Sequence, residues 1–386
     1  MTKEERPLLN PPGYEVGAYR PPSEAYSLLL RVTRNCPWNR CRFCEMYKGH
    51  KFELRTVAEI KNDILTVKRI YDEIAAAAKK PGFDNNIRKA AAAALNGPPD
   101  YIYKNVALWL YKGGQNVFLQ DANSLVMPTP DLVEVLSFLK TTFPAVNRVT
   151  SYCRAKTAAL KKPEELKALR AAGLTRLHIG LESGSDTILK MIEKGATAAE
   201  EITGGKKVKA AGIELSEYYL LGIGGKNLWQ EHALESARVL NEIDPDFIRV
   251  RTLSINDRQP LWQDVQNGAF IRTNDEEMMD ELKLFIQNLN CHARFSSDHD
   301  WNLLPEVEGN LPTDKAKMLA VIERFQMLTP MERQVYRVGR MAHYYSRTGD
   351  LKDPAVHLLV EQLIDKISKG TGFIDEAIMF NLRELM

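Results

Sequence analysis

Three of the five cysteines of this chain fall within nine positions, in Cys36-Pro-Trp-Asn-Arg-Cys41-Arg-Phe-Cys44. An odd, clustered count argues against a disulfide framework and for metal binding. Three thiolates on one loop can each hold one iron of a cubane cluster and leave the fourth iron to a ligand that is not protein. Spacing alone leaves two alternatives. A zinc site wants four ligands, and His50 could complete a Cys3His set. The three thiols could also be unrelated. Cys153 and Cys291 are too few and too far apart to hold an auxiliary cluster, and they read as core thiols.

Other polar side chains stand near the ends of candidate strands, Asp121, Ser151, Arg154, Glu182 and Ser183, while Lys194 follows the helix expected around 185–193 and Leu221-Gly222-Ile223-Gly224-Gly225 carries a glycine run. Each also has a plain structural reading. Asp121 can cap a helix or turn, Arg154 can sit in an ion pair, Glu182 can face a helix N-terminus, and a glycine run can be only a turn. Further on, Asp298-His299-Asp300 offers a histidine between carboxylates, able to hold a proton or orient a substrate. The same residues could equally form a polar loop that caps helices.

The elements that must position these residues alternate along the chain. The segment SLLLRVTR (27–34) reads as a buried strand running straight into the cysteine loop. Thr56-Val57-Ala58-Glu59 is a capping-box pattern, and Ile60, Ile64, Val67, Ile70 and Ile74 follow at helical spacing. The Ala-rich stretch 74–95, broken by Pro81-Gly82, reads as two helical pieces joined by a turn. Strands are then expected at 116–120, 148–152, 176–182, 214–223 and 246–255. Helices are expected after Pro128 and after Pro163, around 185–193 and 198–211, and over 229–243. Such alternation implies parallel pairing with right-handed crossovers. The expected fold class is therefore α/β, a partial (β/α)6 TIM-type barrel with its active site at the C-terminal ends of the strands. A mostly helical C-terminal region follows, with helices near 275–289, 313–327, 330–346, 354–368 and 373–384. The domain reading is a Pro-rich extension over 1–25, a barrel over 26–255 and a helical region over 256–386 that covers the barrel opening.

Composition excludes little else. Lys and Arg number 52 against 50 Asp and Glu, so no polybasic surface or tail is indicated. No apolar run reaches the roughly 20 residues needed to span a bilayer. The N-terminus lacks a signal-peptide apolar core, so a cytoplasmic protein is expected.

The loop CPWNRCRFC resembles the signature of the radical S-adenosylmethionine (radical SAM) superfamily, in which an aromatic residue, here Phe43, precedes the third cysteine. The usual loop has three residues between its first two cysteines; this one has four, Pro37, Trp38, Asn39 and Arg40. HIGLESGSDTILKMIEKGAT (178–197) is similar to the fourth-strand region of the branch that includes radical methylthiotransferases and coproporphyrinogen dehydrogenases. VFLQDANSLVMPT, SYCRAK and YYLLGIGG resemble the second, third and fifth strand motifs of that branch. The resemblance spans residues 20–255, with a fainter echo at 297–315.

This resemblance implies an oxygen-sensitive [4Fe–4S] cluster on Cys36, Cys41 and Cys44, with S-adenosylmethionine on its open iron. It implies an oxidoreductase, handled anaerobically, that cleaves S-adenosylmethionine reductively and abstracts a hydrogen from an organic substrate. Carried over residue by residue, Asp121 would accept the cofactor's ammonium, and Ser151 and Arg154 would meet its carboxylate. Glu182 and Ser183 would bind the ribose hydroxyls, and Lys194 replaces an arginine that contacts the carboxylate. Gly222 would lie beside the adenine, with Met46 and Tyr47 near it. Asp298 and His299 are the substrate-side candidates. The expected partners are a small-molecule substrate and an electron donor such as flavodoxin or ferredoxin; no membrane or nucleic acid is expected. Two other functions stay open at this point. One is a non-catalytic carrier of the cluster, S-adenosylmethionine or heme, and the other is a zinc-stabilised binding protein.

Overall fold

The alternation is realised in a computed structural model that describes residues 13–97 and 100–371. In chain order the strands are β1 (Leu28–Arg31), β2 (Thr33–Arg34), β3 (Glu53–Leu54), β4 (Asn116–Gln120), β5 (Arg148–Cys153), β6 (Arg176–Glu182), β7 (Glu214–Leu221), β8 (Phe247–Thr252), β9 (Arg294–Ser296) and β10 (Gly309–Asn310). The helices are α1 (Val57–Ala78), α2 (Ile87–Leu95), α3 (Tyr101–Tyr111), α4 (Thr129–Thr142), α5 (Ala155–Leu160), α6 (Pro163–Ala172), α7 (Asp186–Met191), α8 (Ala198–Ala210), α9 (Gly225–Ile243), α10 (Leu261–Gln266), α11 (Asp275–Asn288), α12 (Lys315–Gln326), α13 (Pro330–Met341) and α14 (Pro354–Thr371).

Local sequence explains where these elements start. The Thr56 hydroxyl accepts from the Glu59 N–H while Glu59 reaches back to the Thr56 N–H, which opens α1 with the expected capping box. The isoleucines and Val67 of α1 are buried at the spacing read from the sequence. All four residues of β1 are buried, as a parallel strand covered on both faces requires.

The described residues divide into two units. The first is drawn from Met1–Asn39, Tyr47–Ile179 and Thr203–Leu215, the second from Arg40–Met46, Gly180–Ile202 and Ser216–Met386. In the first, β1 pairs with β4, β4 with β5 and β5 with β6, all parallel. In the second, β7 pairs with β8 and β8 with β9 in parallel, and β10 is antiparallel at the edge. β6 and β7 are neighbours in the sheet order, and each runs through both units. The sheet is thus mostly parallel with helices between its strands, the α/β class that the sequence implies.

Strand parity fixes what each face carries. Tyr218 pairs with Arg249 and Leu220 with Arg251, so these four share one face of β7 and β8. Tyr219, Leu221, Ile248 and Val250 share the other. Tyr219 stacks between His232 of α9 at 4.4 Å and Phe285 of α11 at 3.9 Å, so helices cover that second face.

The structure departs from the sequence reading in several places. Helix α3 was not anticipated, although Ile102, Val106, Trp109 and Leu110 are buried at helical spacing and the Asp100 carboxylate caps the Tyr103 N–H. β9 and β10 extend the sheet beyond the six expected strands. The described part of the N-terminal stretch is bonded into the first unit. The Tyr14 hydroxyl donates to the Leu29 carbonyl, and the Gly17 N–H donates to Gln120 at 2.8 Å. The helix expected at 373–384 lies outside the described residues.

Candidate active site

The cysteine loop leaves the sheet through β2, which pairs antiparallel with β3 and so closes the loop at its base. In the first unit, Asn35 enters the loop with φ of 67° and Asn39 turns it with φ of 46°. Left-handed backbone is a conformation asparagine tolerates better than most residues. The Asn39 N–H donates to the Cys36 sulfur at 3.4 Å, and its side-chain amide donates to the Tyr47 carbonyl at 2.5 Å.

Asp121 anchors the entry to the loop. It is 1% exposed and has φ of 71°. Its Oδ2 accepts from Arg31 Nε and from the Asn35 N–H, both at 2.8 Å, and its Oδ1 accepts from the Tyr47 hydroxyl at 3.4 Å. Arg31 is shared with Glu15 at 2.8 Å. The carboxylate expected to meet a cofactor ammonium is therefore also the one that shapes the backbone ahead of Cys36. Arg154 caps α5, and its guanidinium lies 4.8 Å from the Trp38 ring, on the cysteine loop. Ser151 is fully buried on the face of β5 that pairs with Leu119, and its hydroxyl lies against the Leu119 and Tyr152 carbonyls.

In the second unit the rest of the loop is clamped through its backbone. The Arg42 N–H donates to the Ile192 carbonyl, and the Arg42 carbonyl accepts from the Leu261 N–H, each at 2.9 Å. Arg42 pairs with Asp264 at 2.7 Å and Glu45 with Arg258 at 2.8 Å. Phe43 packs on an apolar cluster that includes Ile188, Leu220, Ile223 and Leu261.

Glu182 ends β6 with φ of 60°, and Lys194 meets its Oε1 at 2.9 Å. Gly180 makes room for the pair, because a Cβ there would collide with the Glu182 carboxylate. Burial works against the Lys194 charge, but Glu182 and then Cys41 raise its pKa above the usual lysine value, so it stays an ammonium. Ser183 is fully buried and lies 2.9 Å from His232 Nδ1. Burial drives His232 down to about 3, so the ring is neutral.

Gly222 turns the chain after β7 with φ of 88°, and its N–H donates to Glu281 Oε1 at 3.0 Å. Glu281, on α11, also accepts from the Tyr219 hydroxyl at 2.8 Å. Burial lifts its carboxyl to about 8 against both of those bonds, so it carries a proton at neutral pH. Glu217 is buried too and is pushed well up by burial and by Glu201.

The Asp298 carboxylate takes Arg249 at 2.7 Å and Arg251 at 3.1 Å. Burial opposes its ionisation, but the two guanidiniums hold it below the usual range. Burial, and then Arg251, push His299 down to about 4. At neutral pH the pair is an anion beside a neutral imidazole.

Sequence reading missed His232, Glu281, Arg249 and Arg251. The arginines had a signal, since two charges at i and i+2 in FIRVRT mark one polar face of a strand. His232 and Glu281 had none, because each lies on a helix and finds its partners only in the folded unit.

The donor set fits a [4Fe–4S] cluster. All five cysteines are thiols, and Cys36, Cys41 and Cys44 are each partly accessible, whereas Cys153 and Cys291 are buried. The Asn39 N–H points at the Cys36 sulfur, and Cys41 acts on the Lys194 ammonium. Among the described residues no three His, Cys, Asp or Glu side chains are grouped around one point as for a single metal ion. A cubane instead takes one thiolate on each of three irons.

Residues 30–237 match the radical SAM superfamily, over half of the chain. The chain belongs to that superfamily and is an enzyme of its class, whose cofactors are a [4Fe–4S] cluster and S-adenosylmethionine. It is similar to the tRNA uridine(34) acetyltransferase of Methanocaldococcus infernus, with 19% identity over 220 residues that cover 56% of this chain and 41% of that protein. Among solved structures it is similar to coproporphyrinogen III oxidase (HemN) from Escherichia coli, with a TM-score of 0.44 and 13% identity over 68% of this chain and 51% of that one. It is also similar to the cobalamin-dependent S-adenosylmethionine radical enzyme OxsB, with a TM-score of 0.47 and 14% identity over 89% and 54% of the two chains. The chain spans about half the length of these relatives, and their substrates are their own.

Proposed function

We propose that Cys36, Cys41 and Cys44 hold the cluster, and that the enzyme cleaves S-adenosylmethionine reductively to abstract a hydrogen atom from a small organic substrate. The observation that carries this reading is the three-thiol loop, tied at its entry by Asp121 and along its length by the Arg42 backbone bonds. When bound, the cluster supplies the electron that breaks the S–C5′ bond.

The protein's part is to bind, orient and exclude water. Lys194 offers an ammonium for the cofactor carboxylate, and Arg154 a second cation beside the loop. Glu182 keeps an oxygen for the ribose diol, since only its Oε1 is taken by Lys194. Gly222 lets the adenine plane approach the backbone. Asp121 and Ser151 are retained as cofactor contacts from the family resemblance, Asp121 with the added task of shaping the loop. Ser183 would act with His232 behind it. Asp298 and His299 face the substrate. The described part of the C-terminal region, residues 256–371, is the cover that shields a reactive radical from water and stray hydrogen donors. The bond from α11 to Gly222 supports that assignment.

The electron comes from a small reductant such as flavodoxin or ferredoxin. A reducing cytoplasm suits both the thiols and the cluster. Among the described residues no helix is long and apolar enough to cross a membrane.

The test is anaerobic reconstitution. Wild type should be brown and should release 5′-deoxyadenosine under reducing conditions. Cys36→Ala, Cys41→Ala and Cys44→Ala should each lose iron, while Cys153→Ala and Cys291→Ala keep it. Equal iron loss from Cys291→Ala would sink the assignment.

A further inference from the structure

Arg249 and Arg251 stand on β8 at the spacing that puts both on one face, together with Tyr218 and Leu220 of β7. Leu220 belongs to the apolar cluster on which Phe43 packs. The two arginines therefore share a sheet face with the patch that meets the cysteine loop. Their side chains are only 10% and 15% exposed.

Charge on this face does not balance. Asp298 answers both guanidiniums, one oxygen to each, so one negative charge faces two positive ones. His299 adds none, because it is neutral. Asp300 and Arg340 also act on His299, in opposite senses. Hydrogen bonding does not balance either. Arg249 Nε and Arg251 Nη2 are buried and have no hydrogen-bond partner. Buried donors on a charged group are costly to leave unmet, and a ligand oxygen of the right geometry would meet these two.

The site is also held in shape. The Arg251 guanidinium lies 4.8 Å from the Tyr218 ring centroid. The loop bearing Asp298 is pinned to β8, because the Asn302 amide donates to the Val250 carbonyl and to the Ser297 hydroxyl, each at 3.0 Å. Asp298 itself is 38% exposed, so solvent reaches the group on that side. A planar guanidinium fork matches a carboxylate or a phosphate, and a preset pair of forks matches it better.

We propose that Arg249 and Arg251 bind an anionic group of the substrate, a carboxylate or a phosphate, with Asp298 as the resident counter-ion that competes with it. That the bound anion is substrate rests on the radical reading above; the anion site rests on the arginines alone. The apolar patch beside Leu220 suits the body of such a molecule.

The test is calorimetric titration of reconstituted protein with inorganic phosphate and, separately, with malonate. Wild type should bind at least one, and the tighter probe names the group. Arg249→Gln and Arg251→Gln should each weaken binding about tenfold or more, the loss expected of a charged hydrogen-bonding partner. Asp298→Asn should tighten it several-fold, an effect that misfolding cannot produce. The proposal is overturned if wild type binds neither probe, if both arginine variants bind as wild type does, or if Asp298→Asn binds more weakly. Iron content and 5′-deoxyadenosine release from the same samples keep the two readings separate. A wild type that binds anions but holds no cluster sinks the radical reading only. One that holds cluster and cleaves S-adenosylmethionine but binds neither probe sinks the anion site only.

Discussion

Asn35, Asn39, Asp121 and Glu182 all hold left-handed backbone, and all lie in the cysteine loop or at the end of a strand. Non-glycine residues keep that conformation only where their surroundings enforce it, and such residues gather at functional sites. Glu182 is paired with Lys194 at 2.9 Å, and the two side chains are only 15% and 9% exposed. Glu182→Gln preserves the shape but removes the carboxylate that lies 2.9 Å from a shielded ammonium. Stability should fall by about 3 kcal/mol, the range for breaking a buried pair. Affinity for S-adenosylmethionine should fall by about 1–3 kcal/mol if the free carboxylate oxygen serves the ribose. Urea denaturation and calorimetry on the folded variant read the two effects apart. A destabilised variant with unchanged affinity would leave Glu182 a purely structural role.

At the scale of elements, α9 and α11 converge on β7 through His232, Tyr219 and Glu281. His232 Nε2 lies 3.4 Å from Glu281 Oε1, and Glu281 holds the Gly222 turn. This arrangement carries a pH signature. An unfolded glutamate ionises near ~4.3 and an unfolded histidine near ~6.5. Glu281 titrates at about 8 in the folded protein, so between those limits the folded state holds a proton that the unfolded state has released. Stability then falls as pH rises toward 8 and levels off above it. His232 and His299, at about 3 and about 4, act in the opposite sense, and their contribution is complete by about pH 6.5. From pH 6.5 to 8, wild type should therefore lose about 2 kcal/mol more stability than Glu281→Gln. Parallel denaturation midpoints for the two proteins across that window would show that Glu281 is already ionised.

For the whole molecule, the residue-256 boundary read from the sequence is not a line along which the second unit separates. β9 pairs with β8, α11 holds Gly222, and Asp298 neutralises Arg249. A chain cut after Ile255 would expose the Tyr219 ring and leave two shielded guanidiniums unpaired. That fragment should be insoluble or lack a cooperative transition by circular dichroism. A soluble, cooperatively melting fragment would show that the strands stand without their C-terminal partners.

Much of the element order was legible because periodicity is local. The α1 capping box, the isoleucine stripe and the alternation of strand and helix are written in spacings of a few residues, and the structure follows them. The three cysteines were legible for the same reason, since one loop carries all three. The short edge strands β9 and β10 were not, because two or three residues hold no period of their own. Nor could the sequence say that Asp121 would be spent partly on Arg31 and Asn35, or that Asp298 would answer two arginines. Those pairings join residues 90, 86, 49 and 47 positions apart. Contacts over such separations depend on strand register and helix packing. The sequence by itself determined the three-cysteine loop and the order of strands and helices, because both are written in local spacing, and only the tertiary structure decided which charges face one another.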